Sequence, residues 1–157
     1  MIPGLALAVL PVAACDVLLR RRSGQGIHDL TSAGEPARAR AVLAGWGPGG
    51  ARLARVSLRA DFSLALAYGA GLARWVAETN SETRSTDRLA RAAVLLPVSA
   101  ALADAVEGVA TLRALGRDLD DRAALRVARA AGQVKFGAFG LAVAHIVGRR
   151  TLRAVGR

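Results

Sequence analysis

Apolar residues gather into four stretches separated by arginine-rich ones. Residues 1–19 are apolar except for Asp16 and end in Arg20-Arg21-Arg22; the others cover 60–77, 90–112 and 130–148. Each approaches the roughly 20 residues that a helix needs to cross a bilayer. The pattern predicts an all-α protein, a four-helix transmembrane bundle in one membrane domain over 1–157, with helices at about 2–19, 60–77, 90–112 and 130–148. Residues 23–58 are polar, Gly-rich and basic, and read as a cytoplasmic loop. Within it, Thr31 or Ser32 ahead of Glu35-Pro36 predicts a capped, short interfacial helix over about 35–45. Gly45-Trp46-Gly47-Pro48-Gly49-Gly50 ends it. Trp46 fits either a water–lipid boundary or a loop position covering an apolar patch.

Two features leave alternatives open. The longest uncharged runs in the last three stretches are 62–73, 92–103 and 136–148. These are short for a span, so a soluble four-helix bundle is a rival architecture. The first stretch also carries Val12-Ala13-Ala14-Cys15, which resembles a lipoprotein cleavage box, but no Lys or Arg precedes it. A first membrane helix stopped by three arginines is the simpler expectation. Ala65, Gly69 and Ala73 recur every four residues, a spacing that lets helices approach closely. Gly132, Gly137 and Gly140 predict close contacts on the last helix. Pro97 falls inside the third stretch, where neighbouring helices in lipid satisfy the carbonyl it frees.

Composition narrows the picture. A chain of 157 residues makes one domain, and 53% hydrophobic residues exclude a disordered chain. One cysteine excludes a disulfide framework and Cys-rich zinc modules; His28 and His145 lie too far apart to found a metal site. No metal or cofactor is expected. The formal charge is +10, and Lys135 is the only lysine among 22 basic residues. Such a charge raises nucleic acid as a partner, but no helix-turn-helix or RNP-like pattern is present and few aromatics exist to stack on bases. The arginines instead follow the positive-inside bias. Eight (20, 21, 22, 38, 40, 52, 55, 59) separate stretches one and two, and five (113, 117, 122, 126, 129) separate three and four. Six (84, 88, 149, 150, 153, 157) fall on the opposite side, which predicts cytoplasmic long loops and both termini outside.

Several short motifs then stand out. Gly26-Ile27-x-Asp29-Leu30, Ala33-Gly34, Trp46-Gly47 and Asp61-Phe62 with Tyr68 are followed by Leu102-Ala103-Asp104-Ala105-Val106-Glu107 and by Lys135. Together they resemble a group of small, uncharacterised bacterial integral membrane proteins. The resemblance implies four helices in the bacterial cytoplasmic membrane and implies no reaction. Gly108 departs from it, standing where the group carries Asn.

The ionisable residues converge by depth. Asp104 and Glu107, three residues apart, share one helix face. Glu107 is five residues from the inner end of stretch three, and Lys135 five from the inner start of stretch four. At 1.5 Å rise per residue both lie roughly 7–8 Å below the inner boundary. Asp16 and Asp61 lie near the inner ends of stretches one and two. Charges facing lipid cost about 2.5–3.5 kcal/mol each, so a candidate cluster of Asp61, Asp104, Glu107, Lys135 and Asp16 is predicted, with Glu107 paired to Lys135. Asp104 is then protonated or served by a hydroxyl, a water or a cation. Asp16 and Asp61 also suit interfacial caps, Asp61 at the start of its helix. Tyr68 could line the same cavity or pack in the core, and His145 reads as interfacial. No catalytic motif is present. The expected function is a structural, partner- or lipid-interacting membrane module, with the bilayer and a membrane-protein partner or second copy as partners. The alternative is a small membrane enzyme or ligand-binding protein using Asp104, Glu107 and Lys135.

Overall fold

The computed structural model describes residues 3–83 and 88–155, apart from the side chains of 3–8 and 11; Arg84 and Arg157, counted above, lie outside the described residues. The described residues are all-helical: α1 Pro3–Ser23, α2 Ile27–Thr31, α3 Pro36–Trp46, α4 Gly50–Glu82, α5 Arg88–Ala93, α6 Leu95–Leu115 and α7 Arg122–Val155. Helix α4 lies against α1 on one side and α6 on the other, and α7 packs on both α6 and α4.

The helices outrun their apolar windows. The stretch at 60–77 is the middle of a 33-residue helix, and that at 130–148 lies inside one of 34 residues. Arginine is a good helix former, so Arg52, Arg55 and Arg59 extend α4 and Arg122, Arg126 and Arg129 begin α7. Each of these two helices is roughly 50 Å long, well beyond a hydrocarbon core of about 30 Å. Asp61 therefore lies inside α4, not at its start, and is no helix cap. The third stretch is broken at Val94, where Pro97 has no N–H to give the carbonyl of Ala93. Pro36 opens α3 as expected, but the N-cap is Glu35 without a side-chain bond, while Thr31 and Ser32 close the unpredicted α2. Gly49 starts α4 with φ +84, a conformation that side chains resist.

Two apolar cores result. At the arginine-rich end, α2 and α3 form a cap. Leu30, Ala39, Val42 and Trp46 pack there with Leu19 of α1, Ala54 and Leu58 of α4, Leu115 and Leu119, and Leu125 of α7. Trp46 is 1% exposed and its indole N–H donates to the Gln25 carbonyl at 2.7 Å, so it is a buried anchor of the cap and not a boundary residue. Arg55 of α4 donates to the Leu115 carbonyl at 3.0 Å, and Arg40 of α3 pairs with Asp120, so both α4 and the cap are tied to the α6–α7 turn. At the opposite end Leu72, Val76, Ala93, Ala142 and Ile146 form the smaller core. There Asn80 donates to the Ala90 carbonyl and bonds His145 at 2.8 Å, which joins α4, α5 and α7.

Between the cores α4 and α6 touch through small residues. A Cβ built on Gly69 would stand 2.7 Å from the Cβ of Ala101, closer than two methyl-sized groups can come. Gly69→Ala is expected to destabilise by about 1–3 kcal/mol through overpacking. Adding Ala101→Gly should recover part of that loss in thermal melts; a double variant no better than G69A would show the contact is looser than described. Gly137 and Gly140, by contrast, have open space where a Cβ would be and are not packing contacts.

The α6–α7 turn is fastened by one acid. Asp121 accepts the Ala124 N–H at 3.0 Å, capping α7, and pairs with Arg113 at 2.8 Å and Arg117 at 3.3 Å. The backbone donor, then the Arg113 guanidinium, hold its carboxyl below the ordinary 3.8. A depressed folded value means a stabilising contribution that is complete above pH 3.8 and fades as pH falls toward the lower value. Asp121→Ala should therefore melt earlier than the parent at neutral pH. The gap should narrow below pH 3.8, and a gap independent of pH would contradict this role.

Candidate functional site

The middle layer between the two cores is polar. Asp104 and Glu107 project from one face of α6, both more than nine-tenths buried. Lys135 of α7 reaches between them, its Nζ 2.8 Å from Asp104 Oδ1 and 2.6 Å from Glu107 Oε2. Its ammonium donates a hydrogen bond to Asp104 Oδ1, whereas Glu107 Oε2 meets it as an ion pair without hydrogen-bond geometry. Tyr68 of α4 donates its hydroxyl to Asp104 Oδ2 at 3.0 Å. Asp61, two helical turns before Tyr68 and on the same face, is half-buried and within electrostatic reach of Asp104, Lys135 and Glu107. Three acids thus face one ammonium. With all of them ionised the group carries −2, a charge that costs several kcal/mol per ion to bury unmatched. Such a site holds protons or takes up a positively charged or hydrogen-donating group.

The structure brings Asp61, Tyr68, Asp104, Glu107 and Lys135 together and leaves Asp16 apart. Asp16 pairs with Arg20 at 2.6 Å and accepts the Ile27 N–H at 2.8 Å. It therefore fixes the start of α2 against α1, as a cap does. Arg113 is engaged by Asp121 and Arg59 is exposed, so neither balances the cluster. The pairing of Lys135 is wider than the sequence indicates, because Asp104 and Glu107 lie three residues apart and both face α7 at the level of Lys135. Position 108 also has a physical account: the ring of Phe62 lies 3.2 Å from where a Cβ would be, filling the room a larger side chain would need.

A cleft leads from the cap to this layer. It has a volume of about 460 Å³ and runs between α2, α3 and α7, with Glu107 at its floor. Arg38, Arg129 and His28 bring basic groups to its walls, and Thr31, Ser32 and Gln133 bring neutral polar ones. Gly132 makes the opening. A Cβ there would stand in van der Waals contact, 3.4 Å from the Glu107 carboxylate, so glycine sets bare backbone beside that group on the α7 side. Gly34 (φ +73) lets the Arg129 side chain lie against the backbone, its Cδ 2.9 Å from where a Cβ at 34 would be. Phe136 stands at the rim, edge-on to His28 with ring centres 5.5 Å apart.

Sequence reasoning missed these cleft residues, having counted Arg38 and Arg129 only as topological charge. The signal lay in α7, where Arg129, Gly132, Gln133 and Phe136 recur at the i, i+3, i+4, i+7 spacing of one face. Among the described residues no group of three or more His, Cys, Asp or Glu is arranged to hold a metal ion. Comparisons with protein-family models, with curated proteins and with solved structures find no match.

Among the described residues two helical stretches, Arg88–Leu115 and Arg122–Val155, are long and apolar enough, by length and composition, to cross a membrane. The outward faces of α4, α6 and α7 carry large apolar side chains, among them Leu66, Leu102, Val109, Phe139, Leu141 and Val147. A bundle immersed in water sets polar residues at such positions.

Proposed function

We propose that this chain is a multi-pass protein of the bacterial cytoplasmic membrane that binds a small polar or lipid-headgroup ligand at the Asp104–Glu107–Lys135 cluster. In this account α1, α6 and the apolar parts of α4 and α7 span the bilayer. The cap and the α6–α7 turn face the cytoplasm, and both termini lie outside. The positive-inside count, the apolar outward faces and the likeness to small bacterial membrane proteins support the topology. One observation carries the ligand: Glu107 belongs both to the buried ion cluster and to the floor of the open cleft. A carboxylate that served only to lock two helices would have no need of a cleft beside it, yet the cleft reaches Glu107 where Gly132 presents no side chain.

A second role is supported by the saturation of Asp104, which meets both Lys135 and Tyr68. This half of the cluster fixes the register of α4, α6 and α7, and buried ion pairs often act so. It suits a module that packs against a membrane-protein partner or a second copy of itself.

Native mass spectrometry of protein released gently from membranes tests the proposal. A bound small molecule is expected on the parent and not on Glu107→Gln, with both variants folded. A folded parent that carries no adduct, or an adduct that survives E107Q, would overturn it.

A further inference from the structure

The walls of the cleft carry more chemical information than its depth. Its basic groups, Arg38 on α3, Arg129 on α7 and His28 on α2, come from three elements, and its single acid, Glu107, lies at the floor. Neither Arg38 nor Arg129 meets a carboxylate among the described residues. Both are exposed, so their charge is directed to whatever enters. A site with cations on its walls and an anion at its base complements a ligand of the opposite polarity, an anion bearing a cationic or hydrogen-donating arm. The neutral donors and acceptors of Thr31, Ser32 and Gln133 lie between the two poles.

The position of the cleft favours one anion. It sits where the arginine-rich cap meets the apolar spans, with Phe136 exposed at its rim and Val134 exposed beside it on α7. In a bilayer that level holds the phosphate groups of the lipids. Guanidinium groups recognise phosphate oxygens through paired, charge-assisted hydrogen bonds. A volume of about 460 Å³ lies within the range of small-ligand pockets and holds a headgroup without its chains.

We infer that the cleft binds a phosphate ester carrying an ammonium or hydroxyl arm, with Arg38 and Arg129 on the phosphate and Glu107 on the arm. This rests on the ligand-binding reading above and names the ligand class for that site. The same chemistry occurs in a free phosphorylated amino-alcohol and in the headgroup of a phosphatidylethanolamine, and the assay separates the two sources.

The test uses the full chain in two settings. In detergent, binding of O-phosphoethanolamine, ethanolamine and inorganic phosphate is followed by thermal shift. In nanodiscs, lipid retention is compared between phosphatidylethanolamine and phosphatidylcholine bilayers. The inference expects O-phosphoethanolamine or phosphatidylethanolamine to bind, and more tightly than ethanolamine, phosphate or phosphatidylcholine. Binding of the soluble ester indicates a free ligand, and binding of the lipid alone indicates a headgroup. Arg129→Gln and Arg38→Gln should each weaken binding by about tenfold or more, since a charge-assisted hydrogen bond is worth about 1.5–3 kcal/mol. Gly132→Ala, which places a methyl in ordinary contact with the Glu107 carboxylate and removes no charge, should weaken it too. Ethanolamine binding as well as O-phosphoethanolamine, or full affinity in the arginine variants, would overturn the phosphate assignment. An adduct on the native protein that contains no phosphorus and is lost in E107Q would do the same while leaving the ligand-binding proposal standing. No binding by either probe class would overturn the inference.

Discussion

Lys135→Met should be the most damaging single change in the middle layer of the bundle. It removes the only ammonium between two carboxylates that are each less than a tenth exposed, leaving Asp104 and Glu107 to face one another with Asp61 close by. Breaking a buried pair by deleting one partner costs about 3–5 kcal/mol, because the charge left behind has no counterpart. A fall in thermal stability in detergent of that order is expected. The compensating variant is informative: since Lys135 serves both acids, E107Q with K135M still strands Asp104. Only D104N, E107Q and K135M together remove the imbalance, and this triple variant should recover most of the stability lost in K135M. A K135M protein as stable as the parent would mean that the ion cluster is absent in solution.

Trp46→Ala should produce the largest effect in the cap. The indole is enclosed by residues of the cap core around Leu19, Leu30, Val42 and Leu119, and its N–H holds the Gln25 carbonyl. Large-to-small changes at an enclosed aromatic cost about 3–5 kcal/mol, and the lost indole hydrogen bond adds to this. The cost should be local. Hydrogen exchange should quicken over 27–46 while α6 and the apolar part of α7 keep their protection. Because α2 and α3 form one wall of the cleft, W46A should also lower ligand occupancy with Glu107 and Lys135 intact. Unchanged exchange over 27–46 would contradict the description of the cap as one packed unit.

Much of this was written plainly in the chain. Helical class follows from four long apolar stretches, and the convergence of Asp104, Glu107 and Lys135 follows from counting residues from the arginine-rich boundaries. Tyr68 was within reach by the same means, since seven residues from Asp61 return to one face of a helix. Helix limits were not legible from hydropathy, because an apolar window marks what would contact lipid, while arginine and alanine continue a helix past it. The fate of Asp16 depended on the fold of residues 24–31, whose glycines and short helix carry little periodic signal. The cleft was least visible of all. It is made by docking α2 and α3 against α7, and no local pattern states that Arg38, some 90 residues before Arg129, shares a wall with it. Even so, the glycines at 34 and 132 are the positions where Arg129 and Glu107 lie closest to bare backbone.

The central claim of the proposal is that a cleft opens from the cytoplasmic side of the bundle toward Glu107. Cysteine labelling tests it most directly. In a Cys15→Ala background, Gln133→Cys places a thiol in the cleft, and Val134→Cys places one next to it on the exposed apolar face. A membrane-impermeant maleimide should label Q133C in inside-out vesicles, leave it unlabelled in right-side-out ones, and leave V134C unlabelled in both. Equal labelling of the two positions, or labelling of Q133C from the outer side, would contradict the account.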